Sequence, residues 1–177
     1  MYSKLIANFQ LPFTFSASDY PEPDSFAVSV YMMGCENNCA GCFNVKFQDY
    51  SNKENTKKMN LKQFVSELED FCRRSQTNKV VLLGGDPLFK KNISFVKKFL
   101  EIYSEQFEIC IYTGYNIQQV KNNQLAGFKF LKTGLFIQSE KQPSFKEDSS
   151  MQFASANQKL YDKNYTLISS NGLYNFV

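Results

Sequence analysis

The sequence predicts an α/β fold built as a partial (β/α) barrel with a mostly parallel sheet. Three observations carry this reading. Apolar runs of strand length alternate along the chain with segments of helical periodicity. Each strand-like run of the central region ends in glycine-containing punctuation. The chain has 177 residues, short of the roughly 250 that a complete eight-unit barrel needs.

The elements follow in order. Phe26 to Met33 is a mostly apolar run, interrupted at Ser29, and reads as a buried strand. A cysteine-rich loop comes next. From Asn60, residues Leu61, Phe64, Val65, Leu68, Phe71 and Cys72 fall at helical spacing. Asn60 stands at the capping position and Gln63 three residues on, as a capping box requires. Lys79 to Leu83 is a short strand ending at Gly84-Gly85. Ile93 to Tyr103 is helical, with Val96, Phe99, Leu100 and Tyr103 on one side. Phe107 to Tyr112 is a strand punctuated by Gly114, Asn116 to Gln124 a short helix, Phe128 to Leu131 a fourth strand and Tyr165 to Ile168 a late one. The polar stretches Ser51 to Lys58 and Ser139 to Ser150 read as surface loops. With neither repeat nor linker, residues 1–177 form one domain.

Right-handed crossovers place the carboxyl ends of parallel strands on one edge, where ligands of such folds bind. The cysteine loop, Gly84-Gly85-Asp86-Pro87 and Thr113-Gly114-Tyr115 each follow a predicted strand and are expected to meet there.

Composition narrows the chemistry. Histidine is absent, which removes His-dependent triads and imidazole metal ligands. Metal chemistry must then rest on thiolates or carboxylates. The five cysteines are an odd number and complete no disulfide framework. Met1 to Tyr20 does not resemble a secretory signal, and Phe26 to Met33 is too short to cross a bilayer. A cytoplasmic protein with reduced thiols is expected, with no membrane association. The formal net charge of +3 is too mild to indicate nucleic acid, and none is expected as a partner.

The cysteine loop reads Gly34-Cys35-Glu36-Asn37-Asn38-Cys39-Ala40-Gly41-Cys42-Phe43-Asn44. Its spacing, C-x3-C-x2-C, lets one compact loop aim three thiolates inward, with Gly34 and Gly41 giving the backbone freedom to curl. Thiolate-only ligation favours an iron–sulfur cluster or zinc. Closed structural zinc sites take four ligands; a cubane cluster on three cysteines leaves one iron open. The competing reading is a non-catalytic zinc module that borrows Cys72 or Cys110. Both of those sit in apolar settings and read as small buried hydrophobes.

This loop resembles the signature of the radical S-adenosylmethionine enzymes. The resemblance implies a [4Fe–4S] cluster on Cys35, Cys39 and Cys42, with S-adenosylmethionine chelating the open iron and being cleaved to a 5′-deoxyadenosyl radical. Leu82-Leu83-Gly84-Gly85-Asp86-Pro87-Leu88 resembles the glycine-rich motif of that superfamily, which contacts the cofactor's amino group. Gly84 and Gly85 would allow close approach and Asp86 would accept from the ammonium. Read without that context, Gly-Gly-Asp-Pro is an ordinary turn.

Within the superfamily the chain most resembles the family of activating proteins of anaerobic ribonucleoside-triphosphate reductases. The carrying residues are Gly34-Cys35 through Cys42-Phe43-Asn44, the Gly84 to Leu88 motif, Tyr112-Thr113-Gly114-Tyr115 and Ser155-Ala156-Asn157-Gln158-Lys159. Phe43 stands for the family's tyrosine and Lys159 for its arginine. Where the family carries Asp-Gly-Pro-Phe, this chain has Thr133-Gly134-Leu135-Phe136, preceded by Lys132. The candidate cofactor-contacting set is Gly41, Phe43, Gly84, Gly85, Asp86 and Thr113, together with Lys132 and Thr133, which stand where the family's carboxylate is missing and can offer a charge and a hydrogen bond of their own. The implied reaction generates a glycyl radical on the reductase large subunit, with flavodoxin or ferredoxin as reductant. The alternatives are activation of another glycyl-radical enzyme and radical chemistry on a free metabolite.

Overall fold

The computed structural model describes residues 5–142, 151–170 and 173–174. Its chain order is β1 (Ile6–Gln10), β2 (Thr14–Ser16), β3 (Ala27–Met32), β4 (Thr56–Asn60), α1 (Leu61–Arg74), β5 (Lys79–Gly84), α2 (Ile93–Tyr103), β6 (Glu108–Tyr112), α3 (Ile117–Asn122), β7 (Phe130–Thr133), β8 (Met151–Gln152), β9 (Lys159–Asp162), β10 (Leu167–Ser169) and β11 (Leu173–Tyr174). Two 3-10 turns, Val45–Phe47 and Gln138–Glu140, lie in the connections.

The main sheet runs β10-β9-β7-β6-β5-β3-β1-β4, with β2 also paired to β3. Its centre is parallel: β3 with β5, β5 with β6, β6 with β7. Its flanks are antiparallel: β1 on β3, β4 on β1 and β2 on β3 at one side, β9 on β7 and β10 on β9 at the other. The sheet is therefore mixed, which corrects the expectation of a mostly parallel one. The reason is physical. Only β9 and β10 are joined tightly, by residues 163–166, which excludes a parallel pairing because that needs a crossover of a dozen residues or more. The longer stretches between β1, β3 and β4 and between β7 and β9 carry no α-helix among the described residues to make such a crossover.

Alternation along the central strands builds two cores. Val28, Val30 and Met32 on β3 pack with Val80 and Leu82, Ile109 and Ile111, and Leu131. The buried stripes of all three helices join this cluster, through Phe64 and Leu68 of α1, Val96, Phe99 and Leu100 of α2, and Val120 of α3. The intervening residues Val81, Leu83, Cys110 and Phe130 face the opposite side, where Tyr20, Phe153 and Leu160 cover them. One sheet face thus carries helices, and the other carries none of their buried residues.

The capping box expected at Asn60 forms. Asn60 Oδ1 accepts from Gln63 N and Gln63 Oε1 from Asn60 N, both at 3.0 Å. Asn116 and Gln119 repeat this at α3. At the amino edge of the sheet, Glu22 bridges Lys79 and Lys129, and Lys129 also pairs with Glu108. No helix among the described residues is long and apolar enough to cross a membrane.

Candidate metal and cofactor site

Four connections leave the carboxyl ends of the four parallel strands, and they meet in one pocket. The loop after β3 contributes Cys35, Asn37, Cys39, Cys42, Phe43, Asn44 and Gln48. Leu83, Gly84 and Gly85 come from the end of β5, and Tyr112, Thr113 and Gly114 from the end of β6. Lys132, Gly134 and Phe136 follow from β7, with Ala154 and Gln158 closing the far side. Leu83, Tyr112 and Lys132 stand on the sheet face opposite the helices, so the pocket opens where no helix covers it.

Backbone contacts set the loop on the sheet edge. Gly34 N donates to Phe47 O at 2.7 Å and Cys35 N to Gln48 O at 3.0 Å, so the two stems of the loop pair with each other. The β5 turn docks beneath it: Gly85 N donates to Met32 O and Asp86 N to Gly34 O, both at 2.8 Å. A Cβ at Gly85 would lie 2.5 Å from Gly34 O, and one at Gly84, whose φ is +113°, 2.7 Å from Met32 N and O. The two glycines are required because backbone meets backbone there.

All three loop thiols line the pocket and are partly exposed. Burial pushes the Cys35 thiol up to about 11 in the metal-free protein. Among the described residues, no three cysteine, aspartate or glutamate side chains converge closely enough to share one metal ion. A single zinc draws all its thiolates to about 2.3 Å of one point. An iron–sulfur cluster takes its thiolates on different irons, so three thiols of one loop can each serve a separate iron. Cys72 and Cys110 do not line this pocket. Cys72 lies on the buried stripe of α1 and Cys110 in the second core, and burial pushes both thiols up, Cys72 to about 12. Neither is placed to serve as a fourth ligand for the loop.

The other sequence-predicted residues divide. Phe43 lines the mouth, 61% exposed, its ring edge-on to Phe136 at 5.2 Å with the Lys141 ammonium over it. Gly84, Gly85, Thr113 and Lys132 line the pocket. Gly41 lies outside the lining and backs onto Gln138. Thr133 is buried at the end of β7, also outside the lining. Asp86 is 1% exposed and likewise does not line the pocket. Its Oδ1 accepts from Leu88 N and Thr113 Oγ1, both at 2.8 Å. Its Oδ2 accepts from Gly114 N at 2.9 Å and Asn37 Nδ2 at 3.0 Å. Desolvation raises its proton affinity while these donors oppose that.

Lys132 is the one buried ammonium in the lining, 9% exposed. It sits over the rings of Tyr112 and Phe153 at 5.0 and 5.9 Å. Burial pushes it down to about 8, with the charges of Asp86, Cys110 and Cys39 opposing.

Asn37, Gln48, Tyr112, Phe136, Ala154 and Gln158 also line the pocket and were not singled out as cofactor contacts. Gln158 carried a signal, as part of the Ser155 to Lys159 stretch. Gln158 Nε2 donates to Gly134 O at 3.0 Å and Asn157 Nδ2 to Leu135 O at 2.9 Å, so this stretch braces the turn after β7. Asn37 carried none, because an asparagine between two cysteines is indistinguishable from loop filler until its partner is seen.

Comparison with known proteins agrees with this geometry. The chain is similar to the anaerobic ribonucleoside-triphosphate reductase-activating protein of Haemophilus influenzae, 26% identical over 122 residues that cover 66% of this chain and 77% of that protein. The protein of the same name from Escherichia coli K12 is 25% identical, covering 66% and 78%. The one from Pasteurella multocida is 26% identical over 142 residues, covering 75% and 85%. The model of the 4Fe-4S single cluster domain matches residues 25–161, which include the cysteine loop, the Gly84-Gly85 turn, Lys132 and Gln158. With three loop thiols on one pocket and most of its length matched, the chain belongs to the 4Fe-4S single cluster domain family.

Proposed function

We propose that this protein is a radical S-adenosylmethionine activase that generates a glycyl radical on the large subunit of an anaerobic ribonucleoside-triphosphate reductase. The observation that carries the reading is the meeting of three thiols from one loop with the Gly84-Gly85 turn and the Lys132 ammonium in a single pocket. The names of the relatives supply the reductase as partner.

In this reading Cys35, Cys39 and Cys42 hold a [4Fe–4S] cluster. When bound, the cluster and S-adenosylmethionine supply the electron and the carbon radical that removes a hydrogen atom from the target glycine. The chain's own residues bind and shield. Gly84 and Gly85 give backbone access at the pocket floor, while Thr113 ties that floor to Asp86. Lys132 presents positive charge to an anionic ligand group from a dry wall, where Coulomb attraction is strong. Phe43 and Phe136 form an apolar rim that keeps water from the pocket, as radical chemistry requires. Gly41 and Thr133 act at one remove, through the loop turn and the end of β7. No general base is needed for hydrogen-atom abstraction, consistent with a chain that has no histidine.

The helix-free face suits a polypeptide substrate, because a loop bearing the glycine can descend on the pocket without displacing a helix. A single partial barrel of the radical S-adenosylmethionine type, in the cytoplasm, with a flavodoxin or ferredoxin as reductant, completes the proposal. A zinc module is disfavoured by the separation of Cys72 and Cys110 from the loop.

The test is anaerobic. The reconstituted protein is mixed with dithionite, S-adenosylmethionine and the reductase large subunit. The expected result is 5′-deoxyadenosine together with a glycyl doublet in the electron paramagnetic resonance spectrum. Deoxyadenosine formation without a doublet on the reductase would redirect the proposal to another substrate, and a colourless one-zinc protein would end it.

A further inference from the structure

The Asp86 carboxylate is buried behind the pocket wall, and both of its oxygens are already engaged. Three of its four donor groups, Leu88 N, Gly114 N and Thr113 Oγ1, belong to the turns after β5 and β6. The fourth, Asn37 Nδ2, belongs to the cysteine loop and lies between Cys35 and Cys39. The Asn37 amide also occupies the space that a Cβ on Gly114 would take. Asn37 is thus gripped between a buried carboxylate and a glycine backbone.

The far end of the loop packs on the turn after β7, Gly41 against Gln138 and Phe43 against Phe136, but the segment between Cys35 and Cys39 has few other contacts. The backbone bonds that tie the entry of the loop to its exit at Phe47 and Gln48 end at Cys35. Beyond it, Cys42 N to Cys39 O and Phe47 N to Asn44 O are local turns. Glu36 reaches Lys90 and the Tyr115 hydroxyl through side chains at the surface, where such contacts are worth little. A hydrogen bond from an amide to a buried carboxylate is among the stronger kinds.

We infer that Asn37 is a positioning residue: through Asp86 it fixes the cysteine loop against the Gly84-Gly85 and Thr113-Gly114 turns before any cluster is present. Asp86 then serves the loop and not the amino group of a bound cofactor. This rests on the reading of Cys35, Cys39 and Cys42 as cluster ligands, but its first test does not require the cluster.

Hydrogen exchange of the metal-free protein reads the loop directly. Asn37→Ala is expected to speed exchange in residues 35–44 roughly tenfold or more, leaving the helices protected as in the parent. Gly114→Ala, which pushes the amide away, should do the same, and the double variant should be no worse than either single one. In the reconstituted protein, Asn37→Ala should start with full iron but lose it to a chelator several-fold faster. It should also raise the KM for S-adenosylmethionine more than it lowers kcat, and weaken the spectral change that the cofactor causes in the reduced cluster. Parent-like exchange in residues 35–44 together with parent-like iron release would overturn the inference. So would loss of cofactor binding in Asp86→Asn with none in Asn37→Ala. If the loop loosens as expected but the parent protein makes no 5′-deoxyadenosine, the positioning role stands and the proposed reaction fails.

Discussion

Lys132 is the residue whose setting departs furthest from its ordinary chemistry. Its ammonium is buried against Tyr112 and Phe153 and falls to about 8. In the unfolded chain a lysine titrates near 10.4. Between these two values the unfolded state binds more protons than the folded one, so this group makes the metal-free protein gain stability as pH rises from about 8 to about 10.4. Below 8 the full cost of burying the charge is present, on the order of 3 kcal/mol. Lys132→Met should therefore raise the stability of the metal-free protein at pH 7 by about 2–3 kcal/mol. It should also flatten the difference between parent and variant above pH 8. Urea titrations of both proteins at several pH values measure this; a parent with no excess alkaline slope would contradict it. The sequence marked Lys132 only through its neighbourhood to Thr133-Gly134, since nothing in a four-residue strand announces a buried ammonium. Asp86 shows the reverse case. Its place after two glycines suggested a ligand contact, whereas its actual donors come from three separate connections that no spacing rule brings together.

Elements were legible where the pattern repeats along them. The capping box of Asn60 with Gln63 is a local signal, and it forms; the structure adds a second one of the same kind, Asn116 with Gln119. Asn60→Ala removes the side-chain acceptor of the first and should cost about 1 kcal/mol, read as a lowered thermal midpoint with the cluster site unaffected. The apolar strands β3, β5 and β6 were equally plain, because strands buried on both faces read as continuous apolar runs. Flanking strands were not. Residues 56–60, Thr-Lys-Lys-Met-Asn, were read partly as a charged loop and partly as the cap of α1. They form β4 because β1 offers a free edge, and Met59 alone is buried while Lys57 and Lys58 face solvent. Lysines on an outer strand discourage further pairing, so the polar composition that hid the strand also protects it. β1, β2 and β9 escaped for a related reason: each is short and mixes polar with apolar residues, so no apolar run marks it. The expected loop from Ser139 to Ser150 lies largely outside the described residues.

At the scale of the whole molecule, sheet topology does the work of assembling the site. Cys35, Gly84, Thr113 and Lys132 are spread over nearly one hundred residues, and parallel pairing of four strands brings the four segments to one edge. That convergence was legible from the strand–helix alternation alone. The bare opposite face follows from the same topology, because right-handed crossovers between strands added in one direction all lie on one side of the sheet. The helix-bearing face is held by an aromatic cluster in which Phe64 stacks on Phe9 at 4.6 Å and meets Phe95 and Phe99 edge-on at 5.4 and 5.2 Å. Phe64→Ala should cost about 3–5 kcal/mol. The loss should appear as a common fall in stability by every probe, since this residue lies on the far face from the pocket.

The central claim is that three loop thiols, and no others, hold the cluster. Iron and sulfide content after anaerobic reconstitution of five single cysteine-to-alanine variants tests it most directly. The parent, Cys72→Ala and Cys110→Ala should each carry about four irons and four sulfides per chain, while Cys35→Ala, Cys39→Ala and Cys42→Ala should each fail to hold an intact cluster. A cluster lost from the Cys72 or Cys110 variant, or kept in full by any loop variant, would contradict the account.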